Sequence, residues 1–556
     1  EQTLQQLLVR EEVMSDRPSG DTRAGDGYVD SGFPDNTVPL RIITQPRREQ
    51  PADPDPGAPG PARGRGRNEQ RGTGMGRGVT MLPPALVTLG LGAYNLANTQ
   101  VRQDESATWW AAHLSWTDLG RLLDNTDVVL APYYVLMHLW VSLVGADPAP
   151  LRLPSLVAMA VTAGLLALLG RRMFDAPTGL VGGLVFAVLP VTTRYATDAR
   201  PYAMSALAVV VAALLLYRAL DHEGADRWGG YALGMLFTGL FHPVAATVVV
   251  AYFVLTVITE RQRVGAWFAV TLVPVAPLLA VLVLARGQNH QDPQSGTGID
   301  TLLHLPQDLL GSAKVAAAVG VLAVLGVLVG RKTGLALLVW VVLPPLALFG
   351  LRSYANLFTP SYFVFTLPAL ALLAGAGVCG LARALPGRDQ AVPTRQLVAG
   401  LAAAVAVAVV SFPVLRPLSA DPQTGQPDYE SSASYMLGQQ EAGDGIVYGG
   451  DRAATMRALA YQLRNAVSRP SEVYVVVSPE QDGTYTGQPC SAPVVCSEGV
   501  KRIWLVTTAS TATPYAGMTE VEGTFLQANY KVTGAREFAG GLRVALLRRV
   551  SVKSAE

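Results

Sequence analysis

Two adjacent acids, Asp104 and Glu105, follow the first long apolar segment and open the run Gln103-Asp104-Glu105-Ser106-Ala107-Thr108-Trp109-Trp110. A carboxylate beside a membrane is either a solvated loop charge or a working group, able to take a proton from a hydroxyl nucleophile. A second such place is Asp198-Ala-Arg200-Pro-Tyr202, where one apolar run ends and the next begins. Pro201 suits the first turn of the returning helix, and the acid precedes that helix's positive end. An acid and an arginine near a lipid surface can bind a phosphate-linked lipid and activate a hydroxyl. Other polar residues close to the outer ends of apolar runs are Asp124, Asp127, His290, Asp292, Arg352 and Tyr354. Asp124, Asp127 and Asp292 read as solvated loop ends. Asp104 and Asp198 read as functional, being acids at span ends in a charge-poor chain. His138 and His242 read as packing or hydrogen-bonded histidines.

What holds these residues is a membrane protein. The chain has 556 residues, 50% hydrophobic and only 15% charged, against about 25% charged in soluble proteins. Apolar runs lie near 79–98, 131–145, 153–170, 177–193, 201–220, 230–241, 243–259, 264–285, 313–330, 333–350, 361–383 and 397–414. The run at 131–145 is short for a span, which needs about 20 residues. The basic clusters Arg171-Arg172, Arg218 with Arg227, Arg261 with Arg263, Arg331-Lys332, and Arg383, Arg388 and Arg395 all fall on one side only if 131–145 does not cross and His242-Pro243 is a true turn. Lys and Arg favour the cytoplasm. The expectation is therefore about eleven spans, a cytoplasmic N-terminus, and a segment 131–145 lying along the outer surface.

Three regions follow. Residues 1–78 are rich in Pro, Gly and Arg, cannot bury a core, and are expected to be disordered and cytoplasmic. Their Arg/Gly run near Arg63, Arg65 and Arg67 reads as a topology anchor; a net charge of +1 gives no case for nucleic acid. Residues 79–415 form the membrane domain, with a large first external loop at 99–151. In that loop Ala107, Trp110, Ala111 and Leu114 share a helical face, and Ser115 with Asp118 forms a capping box for a second short helix. Residues 416–556 alternate β-rich runs (Gly445–Tyr448, Val473–Val477, Ile503–Thr507, Leu542–Leu547) with helical patterns such as Ala453–Arg464, predicting an extracytoplasmic α/β domain. Cys490 and Cys496 have the spacing to close a small disulfide loop there, and Cys379 reads as a buried thiol. Gly449-Gly450-Asp451 is too weak for a phosphate loop. The absence of Walker, His-Glu-x-x-His and Gly-x-Ser-x-Gly motifs argues against an ATP-driven pump, a zinc protease and a serine hydrolase.

The order of these pieces resembles the GT-C membrane glycosyltransferases, in the branch holding protein O-mannosyltransferases and the lipid A aminoarabinose transferase. The matching pieces are Asp104-Glu105, Pro132-Tyr133-Tyr134, Leu151-Arg-Leu-Pro-Ser155, Leu169-Gly-Arg-Arg-Met-Phe174, Asp198-Ala-Arg-Pro-Tyr202 and Leu367-Pro-Ala-Leu-Ala-Leu-Leu373, spanning about 79–415. The resemblance implies an inverting transfer of a sugar from a polyprenyl-phosphate sugar to a hydroxyl of a glycan, lipid or protein acceptor outside the cytoplasm, in a multi-pass plasma-membrane protein. It implies Asp104, with Glu105 beside it, as the general base or acceptor-orienting carboxylate. Asp198 would serve the acceptor or, with Asp104, a divalent metal such as Mg or Mn. Arg200, Arg352, Tyr133 and Tyr362 would serve the donor phosphate. An Ala-, Gly-, Arg- and Val-rich composition like that of actinobacterial proteins adds mannose as the sugar. Two positions depart from the family pattern: Leu130 stands where a His is common, and Ser361 where an Arg precedes the tyrosine of the late span. These departures favour one rival, a non-catalytic glycolipid-binding or envelope-assembly protein of the same fold; a second rival is a transporter of lipid-linked sugar.

Overall fold

The computed structural model describes residues 76–550, apart from 95, 223, 289–297, 353–357, 387–391, 421–425 and 509–513, with backbone only at 416–420. The N-terminal segment 1–75 and the candidates His290, Asp292, Tyr354 and Arg388 lie outside the described residues.

The membrane part is helical throughout. The first helix, α1 (Arg77–Ala93), leads into the first loop, which folds as α2 (Gln103–His113), α3 (Trp116–Asn125) and α4 (Ala131–Val144). Ser115 caps α3, its Oγ accepting the Asp118 backbone N–H at 3.2 Å. Helix α4 has 14 residues, or about 21 Å of length, too short for a hydrocarbon core of about 30 Å. One face of α4 buries Tyr133, Tyr134 and Met137, while Leu136, Leu139 and Leu143 are exposed.

Then come α5 (Pro148–Met173), α6 (Ala176–Val188), α7 (Pro190–Ala196), α8 (Tyr202–Asp221) and α9 (Ala225–Phe241). Helices α6 and α7 are bent by 67° at Leu189-Pro190, where proline cannot donate to the helical ladder. The bend aims the chain at the loop carrying Asp198 and Arg200. After a 3-10 turn at Pro243–Val248 come α10 (Val249–Thr259), α11 (Val264–Thr271), α12 (Val275–Arg286), α13 (Ile299–Leu310), α14 (Ala313–Gly350), α15 (Leu367–Ala384) and α16 (Val392–Ala420).

By length and composition, five of the described helices can cross a bilayer, or seven segments if each bent pair is one span. The apolar helices Val128–Val144 and Pro243–Thr259 are shorter than these. The 38-residue α14 divides at Arg331, whose φ of 48° is left-handed, and its halves fold back so closely that a Cβ on Gly334 would meet the Val327 carbonyl at 2.7 Å. Against α15 the approach is closer still. A Cβ on Gly377 would lie 2.1 Å from the Leu322 carbonyl oxygen. Small residues let membrane helices pack backbone to backbone.

The C-terminal region is an α/β domain. Strands β1 (Gly445–Gly449), β2 (Ser471–Glu472), β3 (Val475–Val477), β4 (Gln488–Pro489), β5 (Arg502–Thr507), β6 (Tyr530–Phe538) and β7 (Leu542–Arg549) make a five-stranded sheet in the order β2-β1-β5-β7-β6 and a separate ribbon β3-β4. Strand β1 is parallel to β2 and β5, while β7 is antiparallel to β5 and β6. Period-2 alternation buries both faces. Ile446, Trp504 and Val544 pack on one side with α17 (Tyr429–Leu437) and α18 (Arg452–Gln462); Val447, Leu505 and Leu547 face the other.

The expected strand Val473–Val477 is broken. Val473 and Tyr474 turn into the core, and the chain leaves the sheet for the ribbon. The edge strand β6 was not anticipated, because its burial alternates weakly and its outward residues are polar. Cys490 and Cys496 are joined by a disulfide, and Cys379 is a buried free thiol.

Replacing Gly377 with Leu should prevent α14 and α15 from meeting. The expected result is little folded protein in detergent, or a thermal midpoint lowered by 10 °C or more by order of magnitude, about what a loss of several kcal/mol gives. A wild-type midpoint would show that these helices do not meet there.

Candidate active site

Glu105 is the structural centre of the first loop. It occupies the third position of α2, where Oε2 accepts the Arg102 backbone N–H at 2.8 Å. Arg152 of α5 grips the same carboxylate with two parallel bonds, Nε to Oε1 at 2.8 Å and Nη2 to Oε2 at 2.7 Å. The Ala199 N–H donates to Oε1 at 3.0 Å. The remaining Arg152 donors go to the carbonyls of Leu96, Thr99 and Gln100 at 3.0, 3.0 and 2.8 Å, and to the Thr99 hydroxyl. The two side chains are 0% and 1% exposed. Burial by itself pushes the Glu105 carboxyl up, but Arg152 and then Arg102 overcome it and hold the pKa at about 2. Both oxygens are thus occupied and the charge is retained, which leaves no lone pair free for an incoming proton.

Helix α2 also fixes the second acidic loop. Thr108 Oγ1 donates to the Ala199 carbonyl at 2.7 Å, so α2 side chains hold both backbone groups of Ala199. On either side of it stand Asp198 and Arg200. Arg102 Nη2 bonds Asp198 Oδ2 at 2.8 Å, while the buried Oδ1 has no hydrogen-bond partner among the described residues. Burial, opposed by Arg102 and reinforced by the Glu105 charge, raises the Asp198 pKa.

Arg200 differs from its neighbours Arg102 and Arg152. It has no carboxylate partner among the described residues, and its buried Nε has no hydrogen bond. Its guanidinium lies 5.8 Å from the Tyr202 ring. Around Tyr202 stand Tyr195 at 5.3 Å, His242 at 5.8 Å and Tyr362 at 6.3 Å, with His242 and Tyr362 only 4.7 Å apart. The buried His242 Nδ1 is likewise unpartnered. Asp104 is exposed, one residue from Glu105, and within electrostatic reach of Arg102, Asp198, Arg200 and Tyr362. Tyr133, fully buried on α4, lies within similar reach of Asp198 and Arg200.

The structure therefore gathers Asp104, Glu105, Asp198, Arg200, Tyr133 and Tyr362. Arg352 is not part of this group; it is exposed, stacks 4.0 Å over Phe349 and donates to the Phe349 carbonyl at 2.7 Å. Leu130 packs against the apolar cluster of the first loop, and His138 against Trp116 at 4.1 Å.

Sequence reasoning missed several participants. Asp127, read as a solvated loop end, accepts from the hydroxyls of Tyr485 at 2.6 Å and Tyr134 at 3.2 Å. Tyr485 belongs to the C-terminal domain, in the loop that precedes β4. That domain sits on the first loop through Gln103 Nε2 to Asp451 at 3.2 Å, Tyr461 Oη to the Ala146 carbonyl at 3.1 Å, and an Arg464–Asp147 ion pair at 3.0 Å. No local motif signals these long-range pairings. Arg152 did carry a signal, a charge at the very start of an apolar run, where a buried partner is expected.

Among the described residues no group of three or more His, Cys, Asp or Glu converges, and the Asp198 charge is already met by Arg102. No step below is routed through a metal.

Comparison with known proteins bears on the fold. Residues 128–286 match the family described as dolichyl-phosphate-mannose-protein mannosyltransferase. No curated protein matches the chain's sequence significantly. The crystal structure of ArnT from Cupriavidus metallidurans in the apo state aligns with 84% of this chain and 97% of its own, at 14% identity and TM-score 0.52. The same protein bound to undecaprenyl phosphate aligns over 84% and 98%, at 14% identity and TM-score 0.51. The archaeal oligosaccharyltransferase AglB from Archaeoglobus fulgidus, in complex with an inhibitory peptide and a dolichol-phosphate, aligns over 84% and 74%, at 13% identity and TM-score 0.46. The chain is a multi-pass membrane protein with the GT-C fold.

Glu105→Ala leaves Arg152 buried without its counter-charge and should cost about 3–5 kcal/mol, measured as a lowered unfolding midpoint in detergent. The pH dependence has a definite sign. With its folded pKa below the usual 4.5, Glu105 contributes stability that is complete above pH 4.5 and lost as pH falls towards 2. A variant as stable as wild type at pH 7 would remove Glu105 from this role.

Proposed function

We propose that this chain transfers a sugar from a polyprenyl-phosphate sugar to an acceptor hydroxyl, with inversion, at the extracytoplasmic face of the plasma membrane. The observation that carries the proposal is Arg200, a guanidinium without a carboxylate partner among the described residues, with a buried unpartnered Nε, within electrostatic reach of the exposed Asp104. Burying an unpaired cation is costly, and a phosphate is the anion that a guanidinium fits best. That ArnT binds undecaprenyl phosphate, and that part of the chain matches a mannosyltransferase family, support a polyprenyl-phosphate donor and mannose as its sugar.

The chemistry needs few groups. The acceptor oxygen attacks the anomeric carbon from the face opposite the phosphate. The bond from that carbon to the phosphate oxygen breaks, and polyprenyl phosphate leaves as an anion against Arg200. The acceptor proton passes to Asp104, whose carboxylate is open, whereas both oxygens of Glu105 are occupied. Glu105 acts as a positioning residue, because with Arg152 it holds α2 and the Asp198–Arg200 loop together. Tyr133 and Tyr362 line the donor side, while Asp198, through Arg102, orients the acceptor side.

Leu130, packed in an apolar cluster where the family pattern has a polar residue, favours a second reading. In that case a protein of the same fold binds the glycolipid and leaves it intact.

Asp104→Asn should lower kcat by about 10²–10⁴-fold with donor KM unchanged and normal membrane insertion; wild-type turnover would remove Asp104 as the base. Membrane sidedness is tested by cysteine labelling. A thiol placed near Gly145 should react from outside and one near Arg171 only from inside; the reverse pattern would overturn the orientation.

A further inference from the structure

The membrane domain holds one unpaired guanidinium near the site, and the C-terminal domain holds another. Arg457 projects from α18, and its guanidinium lies 4.0 Å over the ring of Tyr485. The Tyr485 hydroxyl is fixed by Asp127 and stands 3.1 Å from the Tyr134 hydroxyl. Arg457 and Arg200 both act electrostatically on Tyr134. Other arginines at this junction have acids to neutralise them. Arg102 has Asp198, Arg152 has Glu105, Arg452 has Glu522 at 3.5 Å, and Arg464 has Asp147. Arg457 has no such partner among the described residues, and its Nε is buried without a hydrogen bond. The nearby acid, Asp127, accepts two tyrosine hydroxyls at Oδ2 and makes no ion pair with Arg457 among the described residues.

We propose that Arg457 is a specificity residue for the acceptor, binding an anionic group, a phosphate or a carboxylate, carried by the acceptor. This rests on the transferase reading above, in which Arg200 takes the donor phosphate. Two cations, one in each domain, then sort two anions. The lipid phosphate goes to the membrane domain and the acceptor's charge to the C-terminal domain. Asp127 is the positioning residue, since its bonds to Tyr485 and Tyr134 set the ring on which Arg457 rests. A planar guanidinium stacked on an aromatic ring keeps its edge free for a bidentate anion.

The test uses the full-length protein in phosphatidylcholine nanodiscs, which carry no net lipid charge. Equilibrium binding is measured for three amphiphiles: octyl glucoside, octyl glucuronide and octyl glucoside 6-phosphate. Wild type should bind at least one of the anionic probes about tenfold or more tightly than the neutral one, in line with a single charge-assisted pair. The better anionic probe tells carboxylate from phosphate. Arg457→Gln should bind all three alike, and Arg457→Lys, which keeps the charge, should retain part of the preference. Equal binding of the three probes by wild type, or a preference that survives in Arg457→Gln, would overturn the proposal. Polyprenyl phosphate binding is measured on the same samples. It should weaken in Arg200→Gln and not in Arg457→Gln. Failure of that arm would count against the donor reading and leave the result for Arg457 standing.

Discussion

The buried pair of Glu105 and Arg152 is the constraint on which the site depends. Two charges taken out of water persist only if every donor and lone pair is met. Here the carboxylate binds α2 to α5 and to the loop after α7, while the guanidinium collects three carbonyls from the chain that follows α1. Three stretches far apart in sequence, 96–105, Arg152 and Ala199, are thereby fixed at one point. Once they are, Asp104, the neighbouring residue of α2, stands within electrostatic reach of Arg200.

This arrangement separates two kinds of charge. Glu105, Arg152, Arg102 and Asp198 neutralise each other and serve the fold. Asp104, Arg200 and Arg457 have no such partners among the described residues, and these are the groups with electrostatic energy left for a ligand. A transferase that handles an anionic leaving group needs that division, because a cation already paired inside the protein gains little from a phosphate. The bend at Pro190 and the close packing of α14 on α15 serve the same end from a distance, since they set where α8 begins and where Tyr362 stands.

Much of this was legible in the sequence, and the reasons are local. The apolar runs, the short α4, the capped α3 and the alternating strands of the C-terminal sheet each follow from periodicity, length or a capping residue. Asp104, Asp198 and Arg200 were legible because a charge at a span end is conspicuous in a chain so poor in charge. Glu105 was named beside Asp104 for its position, but its partner Arg152 lies 47 residues away, and no spacing rule connects them. Asp127 was misjudged for the same reason, since its tyrosine partner is 358 residues distant. Arg352 shared the chemistry of Arg200 but stacks on its own helix instead. Domain docking is a property of surfaces, and a single sequence does not display surfaces.

The central claim is that this site moves a sugar from a lipid phosphate to a hydroxyl. It is tested most directly by following the anomeric carbon itself. Purified protein in nanodiscs would be given polyprenyl-phosphate mannose labelled with carbon-13 at the anomeric position, together with the acceptor amphiphiles, and observed by NMR. The account predicts loss of the donor signal, release of polyprenyl phosphate and a new glycosidic signal of inverted configuration. A donor that binds and stays unchanged, or a product of retained configuration, would contradict it.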